Sequence, residues 1–414
     1  MQRSRCATVR GNQRLGCADQ PHHFYKDDLA MISRRRFLLT SSVALVAGAW
    51  LTPAADAAVT LKTSKTQSYL VKLVILTDRL DFPWGMAFMP DGSMLVTERP
   101  GRLRVVYPDG GIQREALKGL PPIVEVGQGG LMDVALHPHF ADNGLVYLSY
   151  AAQGEGGVGT EVLRGRFARD RLDDVKVIFR MQPKSRSGVH FGSRLAFDRD
   201  GRLFVTLGDR GAKDRAQRLD DDAGSIVRIS DDGSIPPDNP FVGRAGVRPE
   251  IYAYGNRNVQ GAAIHPGSGA LWIHEHGPQG GDELNVVRAG ANYGWPLVSY
   301  GVNYGVGTRI GEGTQKPGTE QPLHVWVPSI APSGMAFYTG DRFPKWKDNL
   351  LVGGLRSRAL VRLVLEDERV VSEERMLVND LGRIRDVRVG PDGLVYLLVD
   401  SNHGLLVRVE PAEQ

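Results

Sequence analysis

Thiols are nearly missing from this 414-residue chain: its only two cysteines, Cys6 and Cys17, stand close to the N-terminus. Downstream of them, disulfides, thiolate chemistry and cysteine-ligated metals are excluded. A nicotinamide-binding fold is not expected either, because no G-x-G-x-x-G opens a helix, and Gly208-Asp209-Arg210-Gly211 has no phosphate-loop context. Long helical patterns are few, and no fixed-loop calcium motif is present. An excess of one charge is also lacking once the N-terminal segment is set aside. Of 51 Lys+Arg and 47 Asp+Glu, eight and four fall in residues 1–57, which leaves 43 of each. The basic balance of the whole chain belongs to that segment and gives no support to nucleic-acid binding.

The one long apolar run, residues 38–51, follows Ser33-Arg34-Arg35-Arg36-Phe37-Leu38, a twin-arginine pattern, and precedes the small-residue cleavage site Ala55-Asp56-Ala57. Met31 stands two residues before the pattern. Residues 1–30 therefore read as an over-extended start, 31–57 as a twin-arginine signal peptide, and 58–414 as one folded catalytic domain. The expectation is export to the periplasm without stable membrane insertion after cleavage. An uncleaved anchor is the alternative, and Ser41, Ser42, Gly48 and the A-x-A site argue against it.

What remains, about 357 residues, repeats one pattern: a short apolar strand, a Pro/Asp/Gly turn and a second apolar strand. The copies pair 85–88 with 94–96, 131–135 with 146–148, 195–197 with 203–205, 261–264 with 271–273, 334–337 with 350–352, and 386–389 with 395–397. Six copies predict an all-β fold, a six-bladed β-propeller of four-stranded antiparallel blades, each copy giving a blade's inner strands. A β-sandwich would explain strands without their recurrence. Unequal spacing implies inserted loops at 211–256 and 297–328. A strand near 68–76 is expected to complete the last blade and close the ring.

The repeat also sorts the polar residues. Gln128, His190, Arg257 with Asn258, Ser329, and Arg383 with Arg385 stand just before first strands; Asp209, Gly277 with Pro278, and Arg356 stand just beyond second strands. In an antiparallel hairpin these two positions are neighbours, so all should gather at one mouth of the central channel. Four arginines there suit a planar anion with several carboxylates, since guanidinium forks bind carboxylates bidentately. His190 and Asp209 would form an imidazole–carboxylate pair, in which the carboxylate fixes the tautomer and leaves the other ring nitrogen as a base. Backbone carbonyls at Gly277-Pro278 and the carboxylates Asp282 and Glu283 suggest a hard cation. The histidines His137, His139, His265, His274, His324 and His403 read as packing or surface residues at turns or blade edges.

From residue 70 to 412 the chain resembles the soluble pyrroloquinoline-quinone (PQQ) sugar dehydrogenases, in the bacterial aldose branch of the glucose/sorbosone dehydrogenases. The likeness rests on Gly127-Gln128-Gly129-Gly130-Leu131, His190-Phe191-Gly192-Ser193-Arg194, Leu207-Gly208-Asp209, Gly255-Asn256-Arg257-Asn258-Val259-Gln260-Gly261, Glu275-His276-Gly277-Pro278, Asn292-Tyr293-Gly294-Trp295-Pro296, Ala331-Pro332-Ser333-Gly334 and Arg383-Ile384-Arg385-Asp386-Val387. It implies an enzyme that oxidises the C1 hydroxyl of an aldose sugar to a lactone, with PQQ and Ca²⁺ as cofactors and an unknown electron acceptor. His190 would be the general base, Asp209 its orienting partner, and Arg257 the residue that polarises the quinone oxygen. Gln128, Arg257, Asn258, Ser329, Arg356, Arg383 and Arg385 would hold the cofactor. The carbonyls of Gly277 and Pro278 would ligate the bridging calcium, and Asp282, Glu283 and Tyr293 match positions of further, structural calcium. Arg356 stands where glucose-oxidising members have lysine, His276 where they have glutamine, and Val189 where they have an acidic sugar contact. A broad aldose preference is therefore expected.

Two rival readings use the same propeller. A calcium-dependent lactonase would want a cage of Asp, Asn and Glu side chains, whereas four arginines beside a bare cation would be costly. A non-catalytic sugar- or protein-binding propeller is the other class, and the His190/Asp209 pair argues moderately against it.

Overall fold

The computed structural model describes residues 59–412. The start, the signal peptide with its cleavage site, Cys6 and Cys17 lie outside the described residues. Among the described residues no helix is long and apolar enough to cross a membrane.

Six antiparallel sheets are arranged as blades. Their first strands are, in chain order, Pro83–Phe88, Leu131–Leu136, Leu195–Phe197, Val259–Ile264, Pro332–Phe337 and Ile384–Val389. Each packs beside the first strand of the next blade, and the sixth returns to the first, which closes the ring. Second strands pair with these in all six predicted hairpins. Inner strands such as Met94–Glu98, Val259–Ile264 and Val395–Val399 are mostly buried because both faces of an inner strand are covered by neighbouring blades.

The blades are not uniform. Four have four strands, but the first has three, ending at Arg102–Val106, and the last has five. The closing strand, Leu70–Leu80, pairs with Gly404–Pro411 as expected, and Val59–Lys65 then adds an exposed edge strand outside it. The segments taken as inserted loops also carry outer strands: Ile226–Ile229 and Ile251–Ala253 in the third blade, His324–Trp326 in the fourth.

Beneath the mouth, small polar side chains join blade to blade. Thr97 donates to the Met132 carbonyl, Ser149 to Ser193 O at 2.6 Å, Thr206 to Val259 O at 2.9 Å and Ser333 to Ile384 O at 2.7 Å. In the fourth blade His274 occupies the matching place. It is fully buried in a second strand rather than at a turn or edge, and burial pulls its pKa well below the ordinary histidine value. Its ring excludes a side chain at Gly261, where a Cβ would lie 1.9 Å from the imidazole.

The channel axis is crossed at this level by charge. Arg194, 1% exposed, reaches Asp133 of the second blade and Asp386 of the sixth, each at 3.0 Å, and Arg388 approaches the same two carboxylates. Two guanidinium groups and two carboxylates balance, as buried ions must. The mouth thus has a floor.

Candidate active site

First strands begin irregularly at the mouth. Register shifts interrupt their pairing at Pro83/Gly85, Leu131/Val134, Val259/Gly261, Pro332/Met335 and Ile384/Asp386. A bulge breaks the strict alternation of faces and re-aims a side chain. Gln260 and Arg385 are such extra residues, in the fourth and sixth blades, and they meet across the mouth through Arg385 Nη1 to Gln260 Oε1 at 2.9 Å.

His190 precedes the third blade's first strand with a left-handed backbone, φ 53°. Its Nδ1 lies 2.6 Å from Asp209 Oδ1, and its backbone N–H donates to Gln128 Oε1 at 2.8 Å. Asp209 also accepts from Gly211 N at 2.7 Å and, on its other oxygen, from Trp295 Nε1 at 2.8 Å. Every partner of this carboxylate is a donor, so Nδ1 carries the proton and Nε2 is left unprotonated. Burial, helped by the positive charge of Arg257, draws the His190 pKa below its ordinary value against the opposing pull of Asp209. Burial works to raise Asp209, but its hydrogen bond to His190 and the other donors outweigh it and the pKa is lowered. The pair is therefore a neutral imidazole held by an ionised carboxylate at neutral pH.

Arg257 lies across from this pair and is joined to it through the main chain, its carbonyl accepting from Asp209 N at 2.8 Å. Its Nη1 donates to His276 O at 3.1 Å and Gly277 O at 2.9 Å, and its N–H to Glu275 Oε2 at 2.5 Å. Asn258 Oδ1 accepts from Gly192 N at 3.1 Å, which leaves its buried Nδ2 unpaired. The His276 ring donates from Nε2 to the Pro332 carbonyl at 2.5 Å, and burial with the nearby Arg257 and Arg385 lowers its pKa to about 3, so it is neutral.

On the sixth blade Arg383 and Arg385 share one carboxylate, Asp400, at 3.0 and 2.9 Å. The buried Arg385 Nε has no partner. Arg356 is exposed, and among the described residues its guanidinium has no ion pair, while its N–H is held by Ile330 O at 3.0 Å. These three guanidinium groups have one carboxylate partner between them, Asp400, a local cationic excess that suits an anionic ligand.

Ser329 turns its hydroxyl to Asp282 at 2.7 Å. Asp282 also accepts from Gly277 N, Ile330 N and Ala331 N, so it ties the Gly277 turn to the segment entering the fifth blade. The expected grouping of Asp282, Glu283 and Tyr293 divides for that reason. Asp282 and Glu283 are successive residues of Asp282–Val286 and face opposite sides of the sheet. Glu283 instead stands opposite Glu275 in the strand pairing and, with Tyr293 and the Gly277-Pro278 turn, lines a small cavity beside Arg257. Burial raises both glutamates, Glu283 to about 7 and Glu275 well above the ordinary value with Glu283 adding repulsion. The Tyr293 hydroxyl is bound to Val286 O at 2.6 Å, so only its main chain is left for a ligand. Among the described residues no three His, Asp or Glu side chains cluster to cage a metal.

Four contributors escaped the sequence reading. Trp295 stood inside a quoted motif, yet nothing local says that its indole reaches Asp209. Asp400 had a usable signal: it follows Val395–Val399 as Asp209 follows its own blade's second strand. Glu275 ends the second strand of the fourth blade. Arg210, next to Asp209, is buried with its guanidinium 3.4 Å above the Phe191 ring, and burial lowers its pKa to about 9.

Comparison with known proteins adds the chemistry of relatives. A family model described as Glucose / Sorbosone dehydrogenase matches residues 80–408. The chain is 43% identical over 384 residues to aldose sugar dehydrogenase YliI of Escherichia coli (strain K12), covering 91% of this chain and 99% of that protein. A crystal structure of a glucose dehydrogenase shares 51% identity at a TM-score of 0.80, over 82% of this chain and 99% of its own. The PQQ-bound form of an aldose sugar dehydrogenase from Streptomyces coelicolor shares 26% identity at a TM-score of 0.69, over 84% of this chain and 99% of its own.

Proposed function

The chain belongs to the glucose/sorbosone dehydrogenase family, and on that premise we propose that it is a quinoprotein oxidising the C1 hydroxyl of aldose sugars to lactones. The observation that carries this reading is the chain Trp295–Asp209–His190, which presents an unprotonated Nε2 at a mouth rich in arginine.

PQQ, when bound, supplies the acceptor for the hydride that leaves C1. His190 Nε2 takes the proton of the C1 hydroxyl, and Asp209 stabilises the imidazolium that results. Arg257, Arg356, Arg383 and Arg385 would bind the cofactor's carboxylates and carbonyls, and the unpaired Asn258 Nδ2 and Arg385 Nε are donors suited to it. The Gly277 and Pro278 carbonyls would hold the calcium beside it; Gly277 O already accepts from Arg257, and a carbonyl oxygen has a second lone pair. The facing pair Glu275 and Glu283, which forms no salt bridge among the described residues, suits a second calcium together with the Tyr293 main chain.

A twin-arginine leader supports export to the periplasm, where an electron acceptor would reoxidise the cofactor. The test of the function is reconstitution: purified protein with PQQ and Ca²⁺ should reduce a dye with several aldoses, and neither cofactor alone should suffice. Lactone hydrolysis without dye reduction would refute the reading. For export, the mass of periplasmic protein should correspond to a chain beginning near Ala58.

A further inference from the structure

We infer that Arg210 is a positioning residue for the base, fixing the peptide plane that carries His190. This rests on the reading of His190 as the base.

In an extended segment Asp209 and Arg210 would face opposite ways. Arg210 has a left-handed backbone instead, φ 57°, and both side chains reach the segment 187–190. Asp209 holds the His190 ring. Arg210 holds the main chain behind it, donating from Nη1 to Val189 O and from Nη2 to Ser187 O. The same peptide unit is gripped at its other end, since His190 N–H donates to Gln128 Oε1. A peptide plane fixed at its carbonyl and at its N–H cannot rotate, and its rotation is the motion that would swing His190 out of its positive φ. Holding that conformation is necessary because a non-glycine residue there is strained.

The two grips are also joined through packing. Phe191 lies between the Arg210 guanidinium and Gly129, the neighbour of Gln128, where a Cβ would fall 2.5 Å from the ring. Arg210 is 1% exposed, and among the described residues it forms no ion pair with a carboxylate. Its planar fork is used on the Ser187 and Val189 carbonyls, with Val158 O at 3.4 Å, and on an aromatic face, a geometry that an ammonium cannot reproduce.

The test compares Arg210→Met and Arg210→Lys with wild type. In cofactor-free protein, proton NMR should show the His190 Nδ1–H bonded to Asp209 as a downfield resonance, assigned by its loss in His190→Ala. That resonance should be exchange-broadened or lost in Arg210→Met and weakened in Arg210→Lys. In protein loaded with PQQ and Ca²⁺, kcat should fall about 10²-fold in the methionine variant, the effect of roughly an ångström of misplacement, with KM within about twofold. Added methylguanidinium should recover part of the activity of Arg210→Ala. If the methionine variant does not fold, the lysine variant decides on the same two readouts. A lowered Tm with an unchanged resonance and unchanged kcat would mean that Arg210 only packs the loop, and would overturn the inference. Wild-type turnover in His190→Ala would instead remove the base assignment and the inference with it.

Discussion

Replacing Asp209 by asparagine probes the centre of the site with the smallest change in shape. The carboxylate accepts three hydrogen bonds: Oδ1 from His190 Nδ1 at 2.6 Å and Gly211 N at 2.7 Å, Oδ2 from Trp295 Nε1 at 2.8 Å. An amide has one oxygen and one NH₂. Two donors meet at Oδ1 and one at Oδ2, so the amide oxygen should keep the His190 side and the NH₂ should face the indole. The tautomer then survives, whereas a buried donor at Trp295 loses its acceptor at a cost of about 1–3 kcal/mol of stability. What catalysis loses is the negative charge beside the forming imidazolium. A hydrogen bond to a charged group is worth about 1.5–3 kcal/mol, and each 1.36 kcal/mol is about tenfold in rate, so kcat should fall about 10- to 100-fold. Removing the anion also lowers the His190 pKa further, so the acid limb of the kcat–pH profile should move to lower pH. The assay is dye reduction by the PQQ- and Ca²⁺-loaded enzyme across pH, with PQQ affinity measured alongside. Near-wild-type kcat with an unmoved acid limb would show that Asp209 does not act on the base.

His190→Ala should retain PQQ binding yet lose at least about 10² in turnover, more than Asp209→Asn, because it deletes the base instead of weakening its support; stopped-flow and PQQ titration separate the two effects. Arg356→Glu should weaken PQQ loading by more than about tenfold with an unchanged melting temperature, since this guanidinium is exposed and has no ion pair among the described residues. Arg385→Glu should both abolish loading and lower the melting temperature, because it places a carboxylate against Asp400, whose side chain is 11% exposed; an unaffected Tm would contradict that packing. Stability of the metal-free protein should fall as pH rises from about 4.5 towards 7, because burial lets folded Glu283, with a pKa of about 7, bind a proton that the unfolded chain releases near 4.5. Calcium should offset this loss above that window, and Glu283→Gln should lessen the slope, Glu275 remaining raised by its own burial, and weaken the calcium effect, read by calorimetry with and without chelator.

The sequence by itself determined the ring and the address of most site residues. Alternating apolar segments broken by Pro/Asp/Gly turns recur because each blade needs the same buried hairpin, and hairpin geometry alone places His190 beside Asp209 and gathers Gln128, Arg257 and Arg385 at one mouth. Strand counts were less legible, since outer strands such as Ile251–Ala253 and His324–Trp326 are short and separated by long connections that carry no repeat. Only the tertiary structure decided the contacts made between segments distant along the chain. The indole of Trp295 on Asp209 and the meeting of Gln260 with Arg385 both cross from one blade to another. The division of Asp282 from Glu283 depended on strand alternation once the strand's limits were known, and the facing of Glu275 by Glu283 depended on register. A sequence repeat fixes what each blade contributes, because hairpin packing is local. Ring closure and bulges decide which contributions touch, because they orient side chains toward neighbours that the local pattern does not encode.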